Sequence, residues 1–133
     1  MGLEAILFVC AAMGVCIGCL VPNRWLPPLP NDKLLHFAAF AVLTVLALRI
    51  ADSLAEGAWW LAGLLLGGWL IECLQALVPD RRFCWRDMAA NAAGIAFAAV
   101  AVSIAGHPGL TGQSPLADTM GWTAQPPPSL VRD

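Results

Sequence analysis

The chain has 133 residues, of which 59% are hydrophobic and 12% charged, with a net charge of −2. Such a composition excludes an ordinary soluble domain, and without a basic block or an acidic run there is no basis for a nucleic-acid partner. The apolar residues gather in four stretches, Leu3–Val21, Leu34–Ile50, Ala58–Val78 and Met88–Ala105. Each is close to the roughly 17–25 helical residues that cross a hydrocarbon core, and each is apolar all round rather than along one stripe.

The first stretch is expected to be a retained helix. It opens Met-Gly-Leu-Glu, without the basic residues of a cleavable signal, and outruns the usual signal core. The five cysteines are an odd number. Cys10, Cys16, Cys19 and Cys73 fall inside apolar helices, where a thiol serves as a small hydrophobe. The Cys16/Cys19 pair reads as packing rather than as a metal or redox motif. The link from Pro22 to Lys33 holds four prolines, which favour an extended path along the interface with Trp25 as an anchor. Asn31 or Asp32 then caps the second helix.

The second stretch opens with Asp32, Lys33 and His36. Asp32 and His36 are spaced i, i+4 and share a helix face with Phe40 and Thr44. A short polar link, Asp52 to Gly57, leads to Trp59 and Trp60 at the opposite interface. The third stretch carries Glu72 and Gln75 near its end, with Glu72 about 10 Å inside Pro79 at helical rise. The next link holds Arg81, Arg82 and Arg86, and the fourth stretch opens with Asp87 and Asn91, again on one face. Three small-x-x-x-small patterns, Gly14/Gly18, Gly63/Gly67 and Gly94/Ala98, are expected to pack the helices closely. Residues 106–133 hold five prolines and no apolar period, and are expected to form a disordered tail. The fold class is therefore all-α: a four-helix transmembrane bundle over residues 1–105.

Consecutive helices alternate in direction, so the start of the second, the end of the third and the start of the fourth meet at one membrane face. Ionisable groups within membrane segments must pair, reach water or serve a function. Simpler readings exist for most of them. Asp32 and Asp87 can act as N-caps, the arginines can set topology or meet headgroups, and His36 can be a structural hydrogen bonder. Glu72 fits such readings least well and requires a partner, for which Arg81, His36 and Lys33 are the candidates.

The ordered set Asp32-Lys33-x-x-His36-Phe37-x-x-Phe40, Ile71-Glu72-x-x-Gln75, Pro79-x-Arg81-x-Phe83 and Asp87-x-x-x-Asn91-x-x-Gly94 resembles the VanZ-like family of small bacterial membrane proteins. The resemblance covers residues 32–98; Ala98 departs from it where the family often has a second glycine. It implies a multi-pass protein of the bacterial cytoplasmic membrane, in a family named for lowering susceptibility to teicoplanin, and it implies no reaction.

Three functions fit the residues. The first is handling an anionic lipid-linked envelope intermediate, such as a polyprenyl-phosphate-linked precursor. Asp32, Lys33, Gln75, Arg81 and Asn91 would then contact the ligand while apolar helix faces cradle its chain. The second is an intramembrane phosphoryl- or acyl-transfer enzyme using His36, Glu72 and Asp87 with Arg81. The third is a non-catalytic assembly subunit or an ion-conducting bundle. A metal at Asp32, His36, Glu72 and Asp87 is disfavoured by the arginines beside them, so neither metal nor cofactor is expected. Counting Lys and Arg puts the polar face in the cytoplasm, whereas an effect on glycopeptide action suits an outward-facing site.

Overall fold

The computed structural model describes residues 2–22, 25, 31–79 and 81–106. The expected tail beyond Gly106, and most of the proline-rich link including Arg24, lie outside the described residues. The described chain is all helical: α1 Leu3–Leu20, α2 Asp32–Ile50, α3 Leu54–Gln75 and α4 Trp85–Ile104. All four are long and apolar enough to cross a membrane, which makes this a multi-pass membrane protein. Large apolar side chains on every helix face outward, among them Ile17, Val42, Leu66 and Phe97. Trp25 and Trp85 are exposed at one end of the bundle and Trp59 at the other, as interfacial anchors would be.

The helix ends differ from the apolar boundaries because caps, not hydropathy, decide them. Helix α2 starts at Asp32, where the Asn31 side chain accepts a hydrogen bond from the Leu34 N–H (3.4 Å). Helix α3 starts four residues before Ala58. Ser53 Oγ accepts from the Glu56 N–H (3.1 Å), and Glu56 returns a carboxylate oxygen to the Asp52 N–H (3.0 Å). This reciprocal pair resembles a capping box. Helix α3 also stops at Gln75 rather than at Val78, with Ala76–Val78 in turns. That correction puts Glu72 one turn, about 5 Å, from the helix end.

Helices α2 and α4 form the tightest pair. A Cβ at Gly94 would overlap the Phe37 carbonyl oxygen and stand 3.2 Å from the Ala41 nitrogen, so the two backbones touch there. Around this contact Phe40, Leu43, Ala47, Leu64 and Ile95 make the core. Thr44, fully buried, returns its hydroxyl to the Phe40 carbonyl (2.8 Å) and so needs no partner on another helix. The other two small-residue patterns do not pack as expected. Nothing lies within 4 Å of a Cβ placed at Gly14, Gly18, Gly63 or Gly67.

Helix α1 lies on the outside of this core and has no buried residue. Phe8, Ala11, Ala12 and Val15 pack on the core cluster, and Phe8 meets Trp60 edge-on at 5.1 Å between ring centres. An exposed Arg49–Glu4 contact (3.6 Å) joins α1 to the far end of α2.

Candidate functional site

The end of α1, the start of α2, the end of α3 and the start of α4 meet at one end of the bundle. There the structure gathers most of the residues singled out above. His36, Glu72, Gln75, Asp87 and Asn91 are buried, with Glu72 fully enclosed and Asn91 2% exposed. They lie on the inward faces of their helices because each sits one or two turns along the stripe that carries the core. His36 precedes Phe40 and Thr44, Glu72 follows Gly68, and Asn91 precedes Gly94 and Ile95.

Within this layer the contacts are specific. The His36 ring meets Asn91 through Nδ1 and Oδ1 at 3.0 Å, joining α2 to α4. An amide oxygen only accepts, so Nδ1 carries the ring proton and Nε2 of the neutral ring carries a lone pair. The nearest carboxylate oxygen to Nε2 is Asp32 Oδ1 at 4.0 Å, as the i, i+4 spacing leads one to expect. Lys33 reaches Asp87 Oδ1 at 3.1 Å and leaves its own side chain 43% exposed. Gly68 makes room for this layer, since a Cβ there would stand 3.1 Å from the Phe40 ring and 3.3 Å from Asn91 Nδ2.

Glu72 finds a partner that the sequence does not reveal. Its Oε2 accepts from the backbone N–H of Cys84 (3.2 Å), the N-cap residue of α4, whose own side chain makes no capping bond. A carboxylate on α3 thus satisfies the entry of α4. Among the described residues neither Arg81 nor Lys33 pairs with it. Its Oε1 and the Asn91 Nδ2 are buried without a hydrogen-bond partner.

Gln75 and Arg81 are drawn instead to α1. Gln75 Nε2 donates to the Cys19 carbonyl (3.0 Å). Arg81 Nε and Nη2 donate to the Val21 carbonyl (3.3 and 3.2 Å), and Nη2 also reaches the Gly18 carbonyl (3.4 Å). Gly18 and Cys19 lie in the last turn of α1 and Val21 is its C-cap, so no intrahelical N–H satisfies these carbonyls. Arg82 and Arg86 are exposed. Spacing alone could not foresee the role of α1, because the acceptors are backbone groups.

Beside the cluster an open groove of about 390 Å³ runs between α1 and α2. Its walls are Ala11, Val15, Leu35 and Ala39, and Gly14 and Gly18 leave the α1 side hollow. Asp32, His36 and Arg81 line its polar part. Chemically, this is an apolar slot with a charged, hydrogen-bonding end. No protein-family model matches the chain, and no curated protein or solved structure matches it.

Proposed function

We propose that this chain is a VanZ-like protein of the bacterial cytoplasmic membrane that binds an anionic, lipid-linked envelope intermediate of the polyprenyl-phosphate kind. The observation that carries the reading is the α1–α2 groove, apolar along its walls and lined at its polar part by Arg81, His36 and Asp32. An isoprenoid chain fits the hollow that Gly14 and Gly18 leave. Arg81 holds α1 with Nε and Nη2, and its Nη1 makes no hydrogen bond to the described residues, which leaves it for a phosphate oxygen. Lys33, half exposed beside Asp87, supplies a second cation at the same depth. Gln75 and Asn91 then position the site, the first by fixing the end of α1 and the second by orienting His36. The ordered motifs from Asp32 to Gly94 support the family reading, and with it a lowered susceptibility to teicoplanin.

The test is direct binding to the purified chain in detergent, read by native mass spectrometry. A long-chain polyprenyl phosphate should bind at least tenfold tighter than the uncharged polyprenol. Gly14→Leu should fill the groove and abolish binding, and Arg81→Gln should remove the preference for the phosphate. Equal binding of alcohol and phosphate, with no effect of Gly14→Leu, would refute the proposal. One observation supports the transferase alternative: the His36 Nε2 lone pair is free of hydrogen bonds. Turnover of the bound phosphate that His36→Gln abolishes would select it.

A further inference from the structure

At the polar end of the bundle Asp32, His36 and Asp87 crowd together. One carboxylate oxygen each of Asp32 and Asp87 and one ring nitrogen of His36 lie within 4.8 Å of one another. Carboxylates this close repel unless a cation stands between them. Arg81, whose presence argued against a metal, is turned to the carbonyls of α1, and Arg82 and Arg86 are exposed. Lys33 contacts Asp87 from a half-exposed position.

Two further observations are independent of the carboxylate pair. The His36 ring is 6% exposed, and Asn91 holds its Nδ1, so the lone pair of Nε2 has no hydrogen-bond partner and is free toward Asp32. Glu72, fully buried, keeps Oε1 unpartnered. A buried imidazole fixed through one nitrogen by an amide oxygen, with the other nitrogen free, has the arrangement of a metal-ligating histidine and its supporting partner.

We propose that Asp32, His36 and Asp87 bind one divalent transition-metal ion of the Zn²⁺ or Mn²⁺ kind, through one oxygen of each carboxylate and His36 Nε2. The imidazole favours these ions over Mg²⁺ and Ca²⁺, which prefer oxygen alone. Ligand bonds of about 2.1 Å draw the three atoms inward by about 1 Å, an adjustment within reach of Asp32, whose side chain is 50% exposed. Lys33 holds Asp87 when the ion is away and yields when it arrives. Three protein ligands leave a coordination position open. Asp32 and His36 line the groove, so an anion seated there can take that position. The site depends on the cluster alone and stands whether or not a polyprenyl phosphate binds.

The experiment uses the full chain in detergent, stripped with chelator and titrated with Zn²⁺ alone or Mn²⁺ alone, with no lipid phosphate added. Bound metal is counted after desalting, and affinity is read by competition with a chromogenic chelator. One ion per chain is expected. Asp32→Asn and His36→Gln should each weaken binding at least tenfold, with helix content and elution volume as for the parent chain. Lys33→Met should tighten it, because the competing ammonium is gone, and a purely structural lysine would not do this. Mn²⁺, which thiols hold poorly, should respond to the same substitutions as Zn²⁺, which separates this site from Cys16 and Cys19. Less than one ion per chain, or one affinity shared by the parent, Asp32→Asn and Lys33→Met, would overturn the assignment.

Discussion

Replacing Gly94 by alanine is the sharpest test of how the bundle holds its polar layer in place. The added methyl would overlap the Phe37 carbonyl oxygen and stand 3.1 Å from the Phe37 carbonyl carbon and 3.2 Å from the Ala41 nitrogen. All three are backbone atoms of α2, so no rotamer change relieves the contact and the helices must move apart by about 1 Å. Overpacking of this kind costs about 1–3 kcal/mol, and the rigid neighbours place it toward the upper end. Replacing glycine by alanine within a helix returns up to about 1 kcal/mol. The net loss is about 1–2 kcal/mol, a five- to thirty-fold change in the folding equilibrium. The same shift stretches the His36–Asn91 hydrogen bond, 3.0 Å long and one turn away on α4. Gly67→Ala is the matched control, since nothing lies within 4 Å of a Cβ there. Equilibrium unfolding in mixed micelles, followed by tryptophan fluorescence, measures both variants. A Gly94→Ala protein as stable as Gly67→Ala would refute the close approach of α2 and α4, and with it the alignment of His36 with Asn91.

Glu72→Gln should fold, because an amide oxygen can still accept from the Cys84 N–H. Glu72→Leu leaves that donor unpaired, at a cost of about 1–3 kcal/mol; thermal unfolding in detergent compares them, and a glutamine variant no more stable than the leucine variant would contradict the bond. Arg81→Met should free the last turn of α1 while the core stays folded. Amide exchange at residues 18–21 should rise about five- to thirty-fold, for a local loss of about 1–2 kcal/mol, and unchanged protection there would count against Arg81 as the clasp.

The sequence carried the four helices, their alternation and the coplanar polar residues, because membrane length and polarity act on composition. The ends were less legible. Ala76–Val78 is apolar yet lies in turns, while Leu54–Gly57 looks like a link yet is helix under the Ser53 cap. Hydropathy measures transfer to lipid, and it takes no account of where the unpaired N–H groups of a first turn find acceptors. The three glycine patterns looked equivalent, but only Gly94 meets another backbone. A small-residue spacing marks a possible notch, and the neighbour that fills it is set by the fold. The roles of Gln75, Arg81 and Glu72 were hidden for a related reason: each bonds to a backbone group, and every residue type offers the same backbone.

Past Phe40 the interior of the bundle turns dry. Thr44 spends its hydroxyl on its own helix, and the remaining buried apolar side chains are Leu43, Ala47, Leu48, Ala51, Leu64, Ile95 and Ala98. Among the described residues, therefore, no chain of polar groups leads from His36 and Asn91 to the opposite membrane face. The layer is a cul-de-sac. From its polar end, a group that enters between α2, α3 and α4 meets an apolar core before the other face.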